Sequence, residues 1–105
     1  MTKTVILACS AGMSTSMLVA KLRKAAESRN YDYNIFAVPT SELREELDKQ
    51  EVSAIFLGPQ VAFQKDSVKE VVGSRDIKVE VINMMDYGTM NGEKIIEVIH
   101  GVVEN

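Results

Sequence analysis

The chain has 105 residues, 46% hydrophobic and 26% charged, the balance of one ordinary globular domain large enough for a real core. Twelve Lys and Arg against fifteen Asp and Glu leave a formal charge of -3 with no basic patch, which argues against nucleic acid or an anionic membrane as the main partner. The apolar run that ends at Ala8 is too short for a signal peptide or a membrane span, so a cytosolic chain is expected. A single cysteine leaves no internal disulfide and no cysteine zinc site.

The first strand is expected over Val5, Ile6, Leu7 and Ala8, a continuous apolar run of the kind buried on both faces of a sheet, and it delivers Cys9 to a loop. The loop Ser10, Ala11, Gly12, Met13, Ser14 leads through Thr15 and Ser16 into a helix from about Thr15 to Arg29. Ser14 would cap it, and Leu18, Leu22, Ala25 and Ala26 form its apolar stripe. Strand, small-residue loop and helix start make a phosphate cradle, because loop amides and first-turn helix amides converge where the helix dipole is positive. The same field favours the charged form of a thiol at its rim, which makes Cys9 a candidate nucleophile beside an oxyanion site. Gly12 is assigned a positive φ or a close approach to phosphate.

Asn30 suits a left-handed stop, and a second strand from Tyr33 to Val38 ends at Pro39. Ser41 would cap a short polar helix, ELREELDKQ, with Glu45 and Lys49 as an i,i+4 pair and Leu43 and Leu47 as a thin apolar seam. The third strand is SAIFLG. Pro59 opens a helix from about Val61 to Val72 that Gly73 terminates. The fourth strand, Ile77 to Ile82, alternates apolar and polar residues. The loop NMMDYGTMNG and a last helix from about Glu93 to Val103 complete the chain.

This βαβαβαβα pattern reads as a single-domain, three-layer α/β sandwich with a four-stranded parallel sheet. Strands one and three, apolar throughout, belong in the centre, and two and four at the edges, giving the order 2-1-3-4. Right-handed crossovers then put the first and last helices on one face and the middle two on the other. Between strands one and three the order reverses, and ligands of open α/β sheets bind outside the carboxyl ends of the strands at such a reversal. There the Cys9 loop meets the Gly58-Pro59-Gln60 turn.

The stretch CSAGMSTSMLVAKLRKAAE, with LGPQVAF and DYGTMNG, resembles the enzyme IIB components of the lactose/cellobiose/chitobiose class of the bacterial sugar phosphotransferase system, over essentially the whole chain. The resemblance implies a fold similar to low-molecular-weight tyrosine phosphatases and a phosphotransferase activity without cofactor or metal. In it Cys9 takes a phosphoryl group from a phosphohistidine on a IIA protein and passes it to a β-glucoside or disaccharide-type sugar held by a membrane-embedded IIC protein. It also implies a cytoplasmic chain that associates with the membrane through IIC. Backbone amides from Ser10 to Ser16, among them those of Ala11, Gly12 and Met13, and the hydroxyls of Ser10, Ser14, Thr15 and Ser16 would hold the phosphoryl oxygens. Counted from Cys9, the arginine position of the phosphatase loop holds Thr15 and the next holds Ser16, so the guanidinium that would favour attack by water is missing, which suits a relay. The alternatives are a phosphatase-like enzyme and an anion-binding regulatory domain in which Cys9 does no chemistry.

Met13 and Met17 flank the loop, and Met84, Met85 and Met90 surround the one after the fourth strand. Core filling is the simpler use of a methionine, but Met13, Met17 and Met85, with Tyr87, are assigned to an apolar docking ring for partner proteins. His100, the only histidine, is read as serving the end of the last helix. Asp86 is read as a capping or solvated turn residue without a catalytic role. The acidic side chains show no metal-ligand spacing.

Overall fold

In the computed structural model four strands, β1 (Lys3–Cys9), β2 (Tyr33–Pro39), β3 (Ala54–Leu57) and β4 (Lys78–Val81), pair in parallel in the order β2-β1-β3-β4. The structure describes residues 2–10 and 13–104, with backbone alone at 13–15. Burial explains the order. Every residue from Val5 to Cys9 and from Ala54 to Leu57 is buried, whereas β2 and β4 mix buried with exposed positions, as edge strands do.

Because successive strand residues point to opposite faces, each central strand feeds two cores. Val5, Leu7 and Phe56 pack against Leu18 and Leu22 of α1 (Met13–Ser28) and against Ile95, Ile96 and Ile99 of α5 (Gly92–Val103). Ile6, Ala8, Ile55 and Leu57 pack against Leu43 and Leu47 of α2 (Leu43–Lys49) and against Val68 and Val72 of α3 (Lys65–Val72). The first and last helices therefore share one face and the middle two the other, as right-handed crossovers require. Each fully buried Leu or Ile contributes about 1.5–3 kcal/mol over an exposed one.

Local signals account for several boundaries. Asn30 has φ 61°, the left-handed stop expected after α1, and Gly73 ends α3 with φ 62° and ψ -128°, backbone that only glycine adopts readily. Other boundaries differ from the sequence reading. The helix α1 starts at Met13, so Ser14 stands inside its first turn instead of capping it. Ser41 lies within a 3-10 turn, Thr40–Glu42, that precedes α2, and the residue before α2, Glu42, makes no side-chain cap. Lys49 pairs with Glu46, at 3.9 Å, one residue from the expected Glu45. The segment after β3 is a 3-10 stretch, Pro59–Gln64, kinked at Val61, and regular helix begins only at Lys65.

The loop expected after β4 contains a short helix, α4 (Met84–Gly88), whose N-cap Asn83 accepts hydrogen bonds from the amides of Met85 and Asp86 at 2.9 and 3.1 Å. Asp86 is buried rather than solvated. Its carbonyl accepts from the Asn91 amide at 2.9 Å and its carboxylate lies 3.9 Å from Lys94 Nζ, so it joins α4 to the start of α5.

Candidate active site

Cys9 is the last residue of β1, paired in register with Pro39 on β2. On the other side, the Gly58 amide extends the β1–β3 ladder by donating to the Ala8 carbonyl at 3.0 Å. The cysteine thus sits at the carboxyl edge of the sheet, where the strand order reverses, with the turn after β3 beside it. Next in the chain come exposed Ser10, then Ala11 and Gly12, which lie outside the described residues, and then the first turn of α1. Amides of that turn point ahead of the helix axis, toward the end of β1, and add the positive end of a sixteen-residue helix dipole.

Of the expected phosphate-binding residues, Met13, Ser14, Thr15 and Ser16 are therefore first-turn backbone of α1, so their amides belong to one helix start and not to an extended loop. Ser16 is exposed and Ser10 is exposed on the strand side.

The thiol does not sit at a rim. Cys9 is 2% exposed. It shares strand parity with Val5 and Leu7, the residues that face α1 and α5, and this orientation turns its side chain inward instead of toward solvent.

Around this edge the apolar side chains divide. Met17, Met84 and Met85 are exposed, in the first turns of α1 and α4 or just beyond, whereas Met90 is half-buried against the α1/α5 core. Tyr87 is also half-buried against that core, and its hydroxyl accepts a hydrogen bond from Gln60 Nε2 at 3.1 Å. Phe63, which the sequence reading passed over, is the most exposed large apolar side chain among the described residues, at 81%. It follows β3 in the kinked 3-10 stretch, and a regular helix assumed there assigns faces wrongly. The signal available in sequence was Pro59 with a non-periodic continuation.

His100 lies far from this edge, near the end of α5, where its ring stacks on Tyr31 with centroids 3.8 Å apart and its Nδ1 is 2.7 Å from the Tyr33 hydroxyl. Burial, and then the Glu104 carboxylate, push the Tyr33 phenol well above its usual range, so it remains a protonated hydrogen-bonding group. The group fastens the end of α5 to the start of β2, on the amino side of the sheet. Among the described residues no cluster of His, Cys, Asp and Glu could hold a metal ion.

The arrangement is a cysteine at a helix start on the carboxyl edge of a parallel sheet, and the sequence carries it in a recognisable form. A family model described as the PTS system, Lactose/Cellobiose specific IIB subunit, matches residues 4–98. The chain belongs to this IIB family. Similar relatives include the galactose-specific and the cellobiose-specific EIIB components of Lactococcus lactis, each 42% identical over 97 residues that cover 90% of both chains. The oligo-beta-mannoside-specific EIIB component of Bacillus subtilis is 40% identical over 95 residues, again 90% of both. The solution structure of the cellobiose-specific phosphotransferase IIB component from Borrelia burgdorferi superposes with a TM-score of 0.79 at 38% identity, over 100% of this chain and 94% of that one. The lactose-specific IIB component domain from Streptococcus pneumoniae gives 0.83 at 14% identity, over 96% and 97%, and shows a common fold. As a IIB subunit the chain is a sugar-specific component of a phosphotransferase system, and among the described residues no helix is long and apolar enough to cross a membrane.

Proposed function

We propose that this IIB subunit carries a phosphoryl group on Cys9, taken from a phosphohistidine of a IIA protein and delivered to a β-glucoside or disaccharide-type sugar bound by a membrane-embedded IIC protein. The observation that carries the reading is the position of Cys9, which ends the central strand β1 at the sheet's reversal, with α1 starting four residues on at Met13. In the first step the Cys9 thiol gives up its proton and its sulfur attacks phosphorus in line. The phosphorus–nitrogen bond breaks, its electron pair leaves with the imidazole, and the proton given up by the thiol passes to the imidazole so that it departs neutral. In the second step a sugar hydroxyl attacks the phosphocysteine, the sulfur–phosphorus bond breaks with its electron pair on sulfur, and the hydroxyl's proton restores the thiol. Amides from Ser10 through the first turn of α1 would bear the charge on the equatorial oxygens, so catalysis is positioning and electrostatic stabilisation. Thr15 stands where the phosphatase loop has arginine, and without that cation the thiophosphate is poorly activated toward water. Exchange with IIA and IIC would take place in the cytoplasm at the membrane face.

The test is transfer from a labelled IIA phosphodonor followed by mapping of the modified residue. Label on Cys9, lost in Cys9→Ser, and slow release of inorganic phosphate without acceptor are the expected results. The near-complete burial of Cys9 favours one competing reading, a domain that binds an anion and does no chemistry at sulfur. That reading predicts phosphate-dependent amide shifts at Ser10 and Ser16 with no label on Cys9.

A further inference from the structure

Near Cys9, a side-chain hydrogen bond joins two segments distant in sequence. Gln60 Nε2 donates to Tyr87 Oη at 3.1 Å, joining the turn after β3 to α4. The Tyr87 ring packs on the α1/α5 core, so buried apolar contacts fix the direction in which its hydroxyl points. Gly58 fits beneath the pair. A Cβ added there would come 2.7 Å from Gln60 Oε1 and 3.5 Å from Tyr87 Cε2, so only a residue without one leaves Gln60 undisturbed. The backbone of Gly58 is ordinary, with φ -63°, and the requirement is one of space. The Gly58 amide donates to the Ala8 carbonyl, which belongs to the peptide joining Ala8 to Cys9. Gln60 follows Gly58 by two residues in the same turn, so the path from α4 runs through the Gln60 hydrogen bond, along the chain to Gly58 and across its amide to the cysteine's own peptide.

We infer that Gln60 and Tyr87 are positioning residues that hold the Cys9 peptide in line for phosphoryl transfer. The inference rests on the phosphocarrier reading above and goes beyond it. In this role Tyr87 acts through Gln60 and Gly58. In-line displacement needs sulfur, phosphorus and leaving nitrogen aligned, and small misplacements of a reacting group are costly in rate. The brace resists such displacement at the strand end, on the β3 side, where the β1–β3 ladder stops with Gly58. The hydroxyl of Tyr87, assigned from sequence to the docking ring, serves the interior of the site in this account.

Three substitutions break the brace by different routes. Tyr87→Phe removes the acceptor, Gln60→Leu removes the donor, and Gly58→Ala pushes the Gln60 side chain aside without removing a polar group. Transfer from a labelled IIA protein to the full chain is measured over a range of donor concentrations. Losing one hydrogen bond of ordinary strength predicts a fall in kcat of about three- to tenfold for each variant. The KM for the donor should stay within about twofold, because no contact with the donor is removed. Combined variants should be no slower than the slowest single one, since each breaks the same link. In the unphosphorylated protein, amide hydrogen exchange at residue 58 should quicken in all three. Additive losses, or a raised KM with unchanged kcat, would overturn the inference and return Tyr87 to the partner surface. Lower melting temperatures with unchanged kcat and exchange would also overturn it, leaving a purely structural bond. If the wild-type chain takes no label at Cys9, the phosphocarrier reading fails separately, and unchanged exchange at residue 58 would still reject the brace.

Discussion

At the scale of single residues, the burial of Cys9 separates two properties that the sequence joined. A strand that ends in cysteine just before a helix start is readable from VILACSAGMSTS, and the structure has that order. The direction of the side chain is not readable in the same way, because it depends on the parity of the whole strand against its neighbours. Val5, Leu7 and Cys9 fall on one face, and that face is closed by α1 and α5. In a cysteine with 2% exposure the sulfur is reached by a reagent only through the space a small one needs. Thiol modification should accordingly depend strongly on size: methyl methanethiosulfonate should label Cys9 at least about tenfold faster than a bulky aromatic disulfide, with the gap closing in denaturant as burial is lost. Equal rates in the native protein would mean that the sulfur is open to solvent. Mass spectrometry of timed, quenched samples reads both rates.

Among the elements, those with a strong period or a continuous apolar run were legible, and short ones were not. The strands and α1 follow directly from such patterns. The five-residue helix α4 has too few turns for periodicity to register, and Gly88, Asn91 and Gly92 around it read as loop. Its mark is the cap. Asn83 ahead of α4 and Asn91 ahead of α5 each accept from helix amides, Asn91 from the Lys94 amide at 3.1 Å. Asn91→Ala should therefore cost about 1 kcal/mol, or roughly 4–8 °C in Tm for a domain of this size, and calorimetry measures it. At the other end, ion pairs tie neighbouring segments to α5 and its end: Arg29, just after α1, bonds Glu97 at 2.6 Å and Glu93 at 2.7 Å, and Lys3 of β1 bonds Glu104, just after α5, at 3.3 Å. Arg29, with the Tyr31 hydroxyl, holds the Glu97 carboxyl below its ordinary value, and Lys3 does the same for Glu104. A carboxyl depressed in the folded state adds stability above its unfolded pKa, about 4.3, and loses it as pH falls through the folded value. The difference in Tm between the wild-type chain and Glu97→Gln should be present at pH 6 and shrink on acidification through about pH 4. Because these pairs are exposed, salt should shrink it as well. A constant difference from pH 6 to pH 3 would show that the carboxylate charge contributes nothing.

For the molecule as a whole, strand burial fixed the sheet order and crossover handedness fixed the faces, so the carboxyl edge could be located before any coordinates. What composition could not reveal is how apolar surface is shared between that edge and the core. Five large apolar side chains are exposed among the described residues, and four of them, Met17, Phe63, Met84 and Met85, lie on segments that follow the carboxyl ends of β1, β3 and β4. The fifth, Val98, is on α5. A chance scatter over an ordinary surface would not favour one edge, and flexible methionines suit a surface that meets two partners in turn, which the carrier role proposed above requires. The consequence concerns binding and leaves the chemistry alone. Phe63→Asp and Met85→Asp place a charge where a partner would have to desolvate it, while disturbing no buried contact of the free chain. Each should raise the KM for the phosphodonor about tenfold or more with kcat and Tm nearly unchanged, opposite to the pattern expected at Gln60 and Tyr87. Ser74→Asp, exposed in the turn that leads into the start of β4 at the amino edge of the sheet, should leave KM within about twofold and serves as the control. If all three substitutions behave alike, the clustering of apolar side chains at the carboxyl edge has no part in docking.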